Sequence, residues 1–407
     1  MRFVDVTVHT LSSPIDPPQV REFYGGRRRL HKRDFVLAAV ETADGMVGYA
    51  PAAATSSAMR EYFEGTSHDD LADLLETRVE DALAGLTVEG PSDLRDAVAG
   101  LDLPTKLASE ALGVLDVAYH DLRGKELGAP VYELLAGDDV DPAPLELYAS
   151  AGMYMEPEGY VEQAEALRER GYSAYKYRPG LGPEEDERTL RLLDEAVGDE
   201  MDLMVDAHTW WKLGERSYGF EGVVELLDAF DAHDPYWIEE PVEPADYDAY
   251  ERLRERTALP LAGGESEESV AGLRRLAETG VDFLQGDVRH HAGFTGCWEC
   301  VELCAGRADV EFVPHNFGTN LGLVANGHLV AASPEDVRLE QPIFGDGVEA
   351  MYPFPLADDV LETDLDIEDG HLTLPDGPGL GVEVDESVVE EYPYIEGAWT
   401  EFEYDDA

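Results

Sequence analysis

The chain has 407 residues, 44% of them hydrophobic, which predicts a globular protein of about two domains. Its 29 Lys+Arg against 88 Asp+Glu give a net charge of −59, and such a surface repels nucleic acid and anionic membranes. No apolar run approaches the roughly 18 residues of a membrane span, and the first residues alternate like a strand, so we expect a soluble cytoplasmic protein. Because the acidic residues are spread through periodic, core-forming sequence, they are typical of a halophile's hydrated surface and not of disorder.

Residues 1–135 predict an α+β domain. Apolar–polar alternation predicts strands at Phe3–Leu11 and Phe35–Glu41, and helical periodicity predicts helices at Asp69–Ala84 and Leu107–Leu122. Between the two strands, residues 27–33 hold five of the chain's 29 basic residues. This cluster is either a lid that attracts an anionic substrate or an ion-pair patch against nearby acids or another subunit.

The lid interpretation places one set of side chains over the substrate: Tyr24, Arg27, Arg28, Arg29, His31 and, from the barrel, Trp210. Gly25 and Gly26 would give such a lid its mobility. Trp210 and its neighbour Trp211 would wall the pocket, or else only pack a loop.

Residues 143–350 predict a barrel. Short strands alternate with amphipathic helices in units of roughly 25 to 30 residues, which is typical of parallel βα units. The predicted strands are Leu145–Ala151, Tyr172–Arg178, Asp202–His208, Tyr236–Glu240, Pro260–Glu265, Asp282–Asp287, Glu311–His315 and Val337–Glu340. Eight strands is the number that closes a TIM-type barrel. Residues 351–407 lack this rhythm, and we expect them to pack back on the N-terminal domain.

Polar or ionisable residues end most of the predicted barrel strands, at the side where active sites form in this fold. They are Lys176, Arg178, Asp206, His208, Glu239, Glu265, Asp287, His315 and Glu340. Any one of the acids alone could be a helix N-cap, but a succession of them converging on one barrel mouth predicts a functional cluster. Several carboxylates so close together repel each other unless a cation neutralises them, and their oxygen ligands favour Mg²⁺.

The three cysteines, Cys297, Cys300 and Cys304, are spaced to share one face of a helix. A zinc or iron–sulfur site would want a fourth ligand and usually a loop, so we predict small buried core residues.

A set of motifs in this order resembles the enolase superfamily, in its mandelate racemase-like branch. The motifs are ALGVLDVAYHDLRGKELGAPVYELLAG (111–137), WIEEP (237–241), AGGES (262–266), GFTG (293–296) and LPDGPGLGVEVDE (374–386). The resemblance covers nearly the whole chain. It implies a (β/α)7β barrel with an α+β capping domain built from both chain ends, and it implies a homo-oligomer, either a dimer or an octamer.

The resemblance also implies the roles of the strand-end residues. It makes Asp206, Glu239 and Glu265 the Mg²⁺ ligands, while Glu240 points elsewhere because strand residues alternate. It makes His315 a general base paired with Asp287. Glu340 matches the glutamate that hydrogen-bonds a substrate carboxylate.

Lys176-Tyr177-Arg178 departs from the Lys-x-Lys pattern of many relatives, whose second lysine is a base. A guanidinium does not lose its proton near neutral pH, which disfavours a racemase with two bases and, further, a cycloisomerase. Electrostatic roles are therefore predicted for Lys176 and Arg178, with Lys176 as an acid or base left open.

His208, two residues after Asp206, is similar to the histidine of galactonate and mannonate dehydratases and is the predicted acid for the leaving hydroxyl. A second interpretation gives it only a supporting hydrogen bond. The predicted reaction is dehydration of an aldonate to a 2-keto-3-deoxy sugar acid. The alternatives are a racemase or epimerase of a hydroxy acid, and a non-catalytic sugar-acid-binding protein.

Overall fold

The structure is a computed structural model that describes residues 1–52, 78–83, 85–137, 140, 143–207, 210–211, 218–345 and 347–405. Within these residues no helix is both long and apolar enough to cross a bilayer.

A four-stranded antiparallel sheet forms the capping domain from both ends of the chain. Its strands are β1 (Phe3–Phe23), β2 (Gly26–Thr42), β3 (Val47–Ala52) and β14 (Thr400–Tyr404). β2 pairs with β1 along nearly its full length and carries β3 and β14 on its other edge. The C-terminal residues thus complete the N-terminal sheet.

The two predicted N-terminal strands are confirmed but are only parts of one long hairpin. Residues 12–23 and 26–34, for which alternation predicted no strand, lie in β1 and β2 as well. The basic run hides the alternation because it supplies charges to both faces: Arg28 and Lys32 are buried, whereas Arg27 is exposed.

Helices pack on this sheet and carry the chain to the barrel: α1 (Glu80–Leu83), α2 (Pro91–Ala99), α3 (Thr105–Leu127) and α4 (Val131–Ala136). The predicted helix at Leu107–Leu122 is confirmed within α3. Of the predicted helix Asp69–Ala84, residues 69–77 and 84 lie outside the described residues, and the described part, 78–83, is helical and includes α1. α3 is buried on most sides, and its Gly113 lies so close to the backbone of Val288 and Arg289 that an added Cβ would come within 2.8 Å of the Val288 carbonyl oxygen.

The barrel domain has eight parallel strands within the described residues, as predicted. They are β4 (Leu145–Met153), β5 (Ala174–Arg178), β6 (Asp202–Asp206), β7 (Trp237–Glu239), β8 (Leu261–Gly263), β9 (Phe283–Leu284), β10 (Glu311–Phe312) and β11 (Leu339–Pro342). Their ladder runs unbroken from β11 through β4 to β10. The amphipathic helices between them are α5 (Pro157–Glu169), α6 (Pro183–Val197), α7 (Gly219–Phe230), α8 (Tyr247–Arg254), α9 (Val270–Leu276), α10 (Gly293–Ala305) and α11 (Asn320–Ala332), with a short 3-10 helix at Asp231–His233.

Asn316 links the two ends of this ladder. Its backbone N–H donates to Glu340 Oε2 at 2.9 Å, and its Nδ2 donates to the Glu340 carbonyl at 3.1 Å. The segment after β10 is thereby tied to β11 by a side chain. The architecture is the predicted (β/α)7β barrel with its α+β cap.

The remaining C-terminal elements are α12 (Leu356–Asp359), β12 (Asp366–Glu368), β13 (His371–Thr373) and α13 (Val388–Glu391). β13 pairs with the start of β4, so this segment touches the barrel before it reaches the cap. Cys297, Cys300 and Cys304 are buried and free on α10, which confirms that they are core residues.

Candidate active site

The predicted site residues converge at the carboxyl ends of the barrel strands. Parallel pairing puts Asp206 directly opposite Glu239 on adjacent strands. Lys176, Glu239, Asp287, Glu340 and the ring of His315 are all buried. A group of opposite charges therefore sits where this fold builds active sites.

Lys176 lies between two carboxylates. Its Nζ is 2.8 Å from Glu239 Oε1 and 2.8 Å from Glu340 Oε1. Burial alone would lower the pKa of Lys176, but Glu239 and Glu340 outweigh it, so its pKa is raised well above the usual value. In this arrangement Lys176 is an ammonium ion that binds charge and not a free base.

Glu239 is the most crowded of the carboxylates. Burial raises its pKa to about 8, with Asp206, Glu340 and Glu265 adding repulsion that Lys176 only partly offsets. Gln285 Nε2 also donates to Glu239 Oε2 at 2.8 Å. A further positive charge among these carboxylate oxygens would stabilise the cluster by reducing the repulsion between them.

Arg178 pairs with Asp206 at the end of the neighbouring strand. Its Nε donates to Asp206 Oδ2 at 2.9 Å, and a second guanidinium nitrogen lies 2.5 Å from the same oxygen. Lys176 and Arg178 share one side of β5, as strand alternation predicts, and each meets a carboxylate on the facing strands.

His315 joins two carboxylates through its two ring nitrogens. Nδ1 is 3.0 Å from Asp287 Oδ2, and Nε2 is 2.6 Å from Glu265 Oε2. Burial would lower the pKa of His315, but Glu265, Glu340 and Asp287 together raise it well above its usual value. Nε2 is thus held by Glu265 here, and the ring can accept a proton from another molecule only when that contact is released.

Arg289 is a site residue that sequence reasoning missed. Its Nε lies 3.1 Å and 3.0 Å from the two oxygens of Asp287, and its backbone N–H donates to Asp287 Oδ1 at 2.9 Å. Burial would raise the pKa of Asp287, but Arg289 and His315 outweigh it and keep the pKa well below its usual range. No strand pattern marks Arg289, because it follows Asp287 in an irregular segment. Gln285, also missed, was accessible to the same alternation argument, since it precedes Asp287 by two residues.

Glu240 is turned away from this cluster. Its carboxylate accepts from the backbone N–H and the hydroxyl of Ser266 at 3.0 and 2.8 Å. Its backbone is left-handed, with φ +43°, which redirects the chain after β7.

The three predicted metal ligands fit Mg²⁺ by chemistry, since all are carboxylates at or just after the ends of successive strands. Each one contacts a protein cation: Asp206 meets Arg178, Glu239 meets Lys176, and Glu265 meets His315. Within the described ranges no group of three His, Cys, Asp or Glu is spaced to hold a metal ion. In this arrangement the protein's own cations therefore balance the carboxylates.

The predicted lid residues other than Trp210 lie at the tip of the β1–β2 hairpin and separate into two groups. Arg27 pairs with Glu403, and Arg29 lies 3.8 Å from the same residue. His31 lies 3.2 Å from Glu401. These contacts with β14 are of the ion-pair kind that formed the second interpretation of the basic cluster.

Arg28 and Tyr24 face the barrel instead. Arg28 is buried beside Met153 of β4. The Tyr24 N–H donates to the Gly180 carbonyl at 2.7 Å, and its ring meets that of Tyr218 edge-on. The hairpin tip is therefore docked on the loop that follows β5.

Of the two predicted site residues that follow β6, Trp210 is described by the structure and His208 is not. Trp210 is fully buried and stacks on Tyr218, with its edge toward Phe230. His208, the predicted acid, lies outside the described residues.

Comparison with known proteins identifies related chains. The family model "Mandelate racemase / muconate lactonizing enzyme, N-terminal domain" matches residues 10–136, and "Enolase C-terminal domain-like" matches residues 159–388. A D-galactarolactone cycloisomerase of Agrobacterium fabrum is 30% identical over 96% of this chain and 99% of its own. A D-gluconate dehydratase of Thermoproteus tenax is 30% identical over 70% of this chain, which spans 56% of that protein. The solved 3,6-anhydro-D-galactonate cycloisomerase of Zobellia galactanivorans has a TM-score of 0.77 and 27% identity, with 96% of this chain and 99% of that one covered.

Proposed function

This chain belongs to the enolase superfamily, and from that membership we propose that it removes the proton next to the carboxylate of a sugar acid and then eliminates the neighbouring oxygen. The leading reaction is dehydration of an aldonate to a 2-keto-3-deoxy sugar acid. The observation that carries the proposal is the Asp287–His315 pair at 3.0 Å, directed into a buried group of carboxylates and cations at the barrel mouth.

His315 takes the C2 proton in this proposal. Asp287 fixes the ring through Nδ1, which leaves Nε2 as the nitrogen that faces the substrate. Glu265 must first release Nε2. Arg289, which also contacts Asp287, keeps that carboxylate ionised, so that it stabilises the imidazolium formed when the proton is taken.

Positive charge stabilises the enediolate that forms when C2 loses its proton. Lys176 and Arg178 supply charge from β5. Mg²⁺ is proposed at Asp206, Glu239 and Glu265, where it would supply further charge against the same oxygens. Glu340, held beside Lys176, is proposed to hydrogen-bond one oxygen of the substrate carboxylate.

The leaving group distinguishes the two candidate reactions. In dehydration the C2–H and C3–O bonds break, and the hydroxyl needs a proton to leave as water; His208 is the proposed donor. The second candidate is a cycloisomerase of a sugar lactone, favoured by the relative of that activity that matches 96% of this chain. Expulsion of a lactone oxygen as a carboxylate requires no such donor.

Proton NMR in D₂O with Mg²⁺ and KCl tests the proposal on a panel of aldonates and sugar lactones. Dehydration gives loss of water and one deuteron in the new C3 methylene. A His315→Asn variant should lose C2 exchange, whereas His208→Asn should slow dehydration at least tenfold while C2 exchange continues. Full dehydration by His208→Asn would remove it from the acid role. Loss of the C2 proton signal without elimination would favour an epimerase.

A binding protein without catalysis would bind a sugar acid and exchange no proton. Calorimetry on the same panel measures that binding directly. Binding without C2 exchange for every compound would therefore contradict the proposed enzyme.

A further inference from the structure

Arg28 and Arg33, two arginines of β2, have no carboxylate at ion-pair distance within the part of the chain that the structure describes. This is unusual in a chain with 88 acidic residues, and their neighbour Arg27 does pair with Glu403. A guanidinium taken out of water normally requires an anion or several strong acceptors. These two guanidinium groups are therefore candidates to bind an anion.

Arg28 is only 6% exposed and has weak partners. Its Nε donates to Thr400 Oγ1 at 2.9 Å, and a terminal nitrogen lies 3.0 Å from the sulfur of Met153. Its guanidinium carbon lies 4.7 Å from the Trp399 ring centre. The pKa of Arg28 is lowered to about 10, chiefly by burial and in smaller part by the nearby charges of Arg178 and Arg33, so an anion here would relieve repulsion as well as desolvation.

Arg33 approaches the same ring from the next part of the strand. Its guanidinium carbon is 4.7 Å from the Trp399 ring centre and 5.4 Å from that of Phe317. Its Nε is buried and without a hydrogen-bond partner among the described residues. Arginine stacked on aromatic faces keeps its in-plane N–H groups available for an anion.

Both arginines lie at the rim of the proposed active site. Met153, which Arg28 contacts, is the register partner of Arg178 on β5. Phe317, under Arg33, follows His315 by two residues. The cap thus brings two cations next to the barrel segments that carry Arg178 and His315.

We propose that Arg28 and Arg33 bind a second carboxylate, at the end of the substrate remote from the reacting carbon. This narrows the sugar acid of the proposed function: a sugar diacid, or a lactone that keeps one free carboxylate, becomes the preferred substrate, and an aldonate, whose remote end is neutral, becomes the weaker one. This inference rests on the proposed function for the location of the reacting end. Arg27 and Arg29, whose charge is taken by Glu403, have no part in it.

Calorimetric titration with matched pairs of ligands tests the proposal with Mg²⁺ present. Galactarate is compared with galactonate, and glucarate with gluconate, since each pair differs only in whether C6 is a carboxylate or a hydroxymethyl group. At least one diacid should bind at least tenfold more tightly than its partner. Arg33 is partly exposed, so Arg33→Met should fold, and in this variant the tighter binding of the diacid should fall below threefold. Arg28→Met should reduce the diacid preference in the same direction if it folds.

Arg252→Met is the matched control, because Arg252 also stacks on an aromatic ring, 3.9 Å from the centre of Phe220, but far along the chain from the cap. Its diacid advantage should remain. Equal binding within threefold for both pairs in the wild-type protein, or an advantage that survives Arg33→Met and a folded Arg28→Met, would overturn the proposal.

The two proposals fail in different ways. Arginine-dependent diacid binding without C2 exchange would uphold the second anion site and refute the enzyme. C2 exchange on aldonates without any preference for diacids would uphold the enzyme and refute the second anion site.

Discussion

Replacing Arg289 by methionine leaves the carboxylate of Asp287 buried without its main counter-charge. Asp287 is fully buried and Arg289 is 5% exposed, so water cannot easily replace the lost contacts. Removing one partner of a buried ion pair costs about 3–5 kcal/mol. Because Asp287 keeps the Arg289 backbone N–H at 2.9 Å and His315 at 3.0 Å, we expect the low end, about 3 kcal/mol.

Urea unfolding at constant KCl concentration measures this loss. Arg307→Met is the control, since Arg307 pairs with Asp309 across side chains that are 27% and 67% exposed. That pair should contribute less than about 1 kcal/mol and weaken as KCl is raised, whereas the Arg289 effect should change little.

A double-mutant cycle identifies the cause. In Asp287→Asn/Arg289→Met no unpaired charge is buried, so the double variant should be about 2 kcal/mol more stable than the sum of the single losses indicates. The reasoning is refuted if Arg289→Met costs less than about 1 kcal/mol or if the two losses add within about 0.5 kcal/mol.

Three further predictions concern other parts of the molecule. His328 is buried, donates from Nε2 to the Leu380 carbonyl, and has a pKa lowered by burial to about 4. Between about pH 6.5 and pH 4 the unfolded chain binds a proton at this histidine and the native chain does not, so this residue should lower the free energy of unfolding by about 1.4 kcal/mol per pH unit as the pH falls. His328→Gln should remove this contribution to the pH dependence, measured by urea unfolding at each pH. On helix propensity alone, Gly113→Ala would stabilise α3 by about 1 kcal/mol. We expect it instead to destabilise the protein by about 1–3 kcal/mol, because the new methyl group would clash with the Val288 carbonyl oxygen; an unchanged urea midpoint would contradict this. Mg²⁺ at a hundred times its dissociation constant should stabilise the native state by about 2.7 kcal/mol at constant ionic strength, and a thermal shift equally large in Glu265→Gln would show that the ion binds elsewhere.

Strand periodicity and strand-end chemistry predicted the barrel from the sequence. The eight strands and the position of Asp206, Glu239, Asp287 and His315 follow from local alternation, because parallel strands bring their carboxyl ends to one mouth. The three cysteines were assigned to the core by their helical spacing and by the lack of a fourth metal ligand beside them.

Only the tertiary structure determines which charged side chains contact each other. Sequence reasoning treated the basic run at residues 27–33 as one unit. Yet β14, nearly 370 residues later, supplies Glu403 to Arg27 and Arg29 and the ring of Phe402 to Arg28. The same limit hid Arg289, whose side chain returns to Asp287 from an irregular segment. The local sequence pattern determines which way a strand residue points. A partner from a distant segment is determined only when the tertiary structure brings the two residues together. In this protein the tertiary structure therefore decides which arginines of the cap form surface ion pairs and which ones lie near the mouth of the barrel without a carboxylate partner among the described residues.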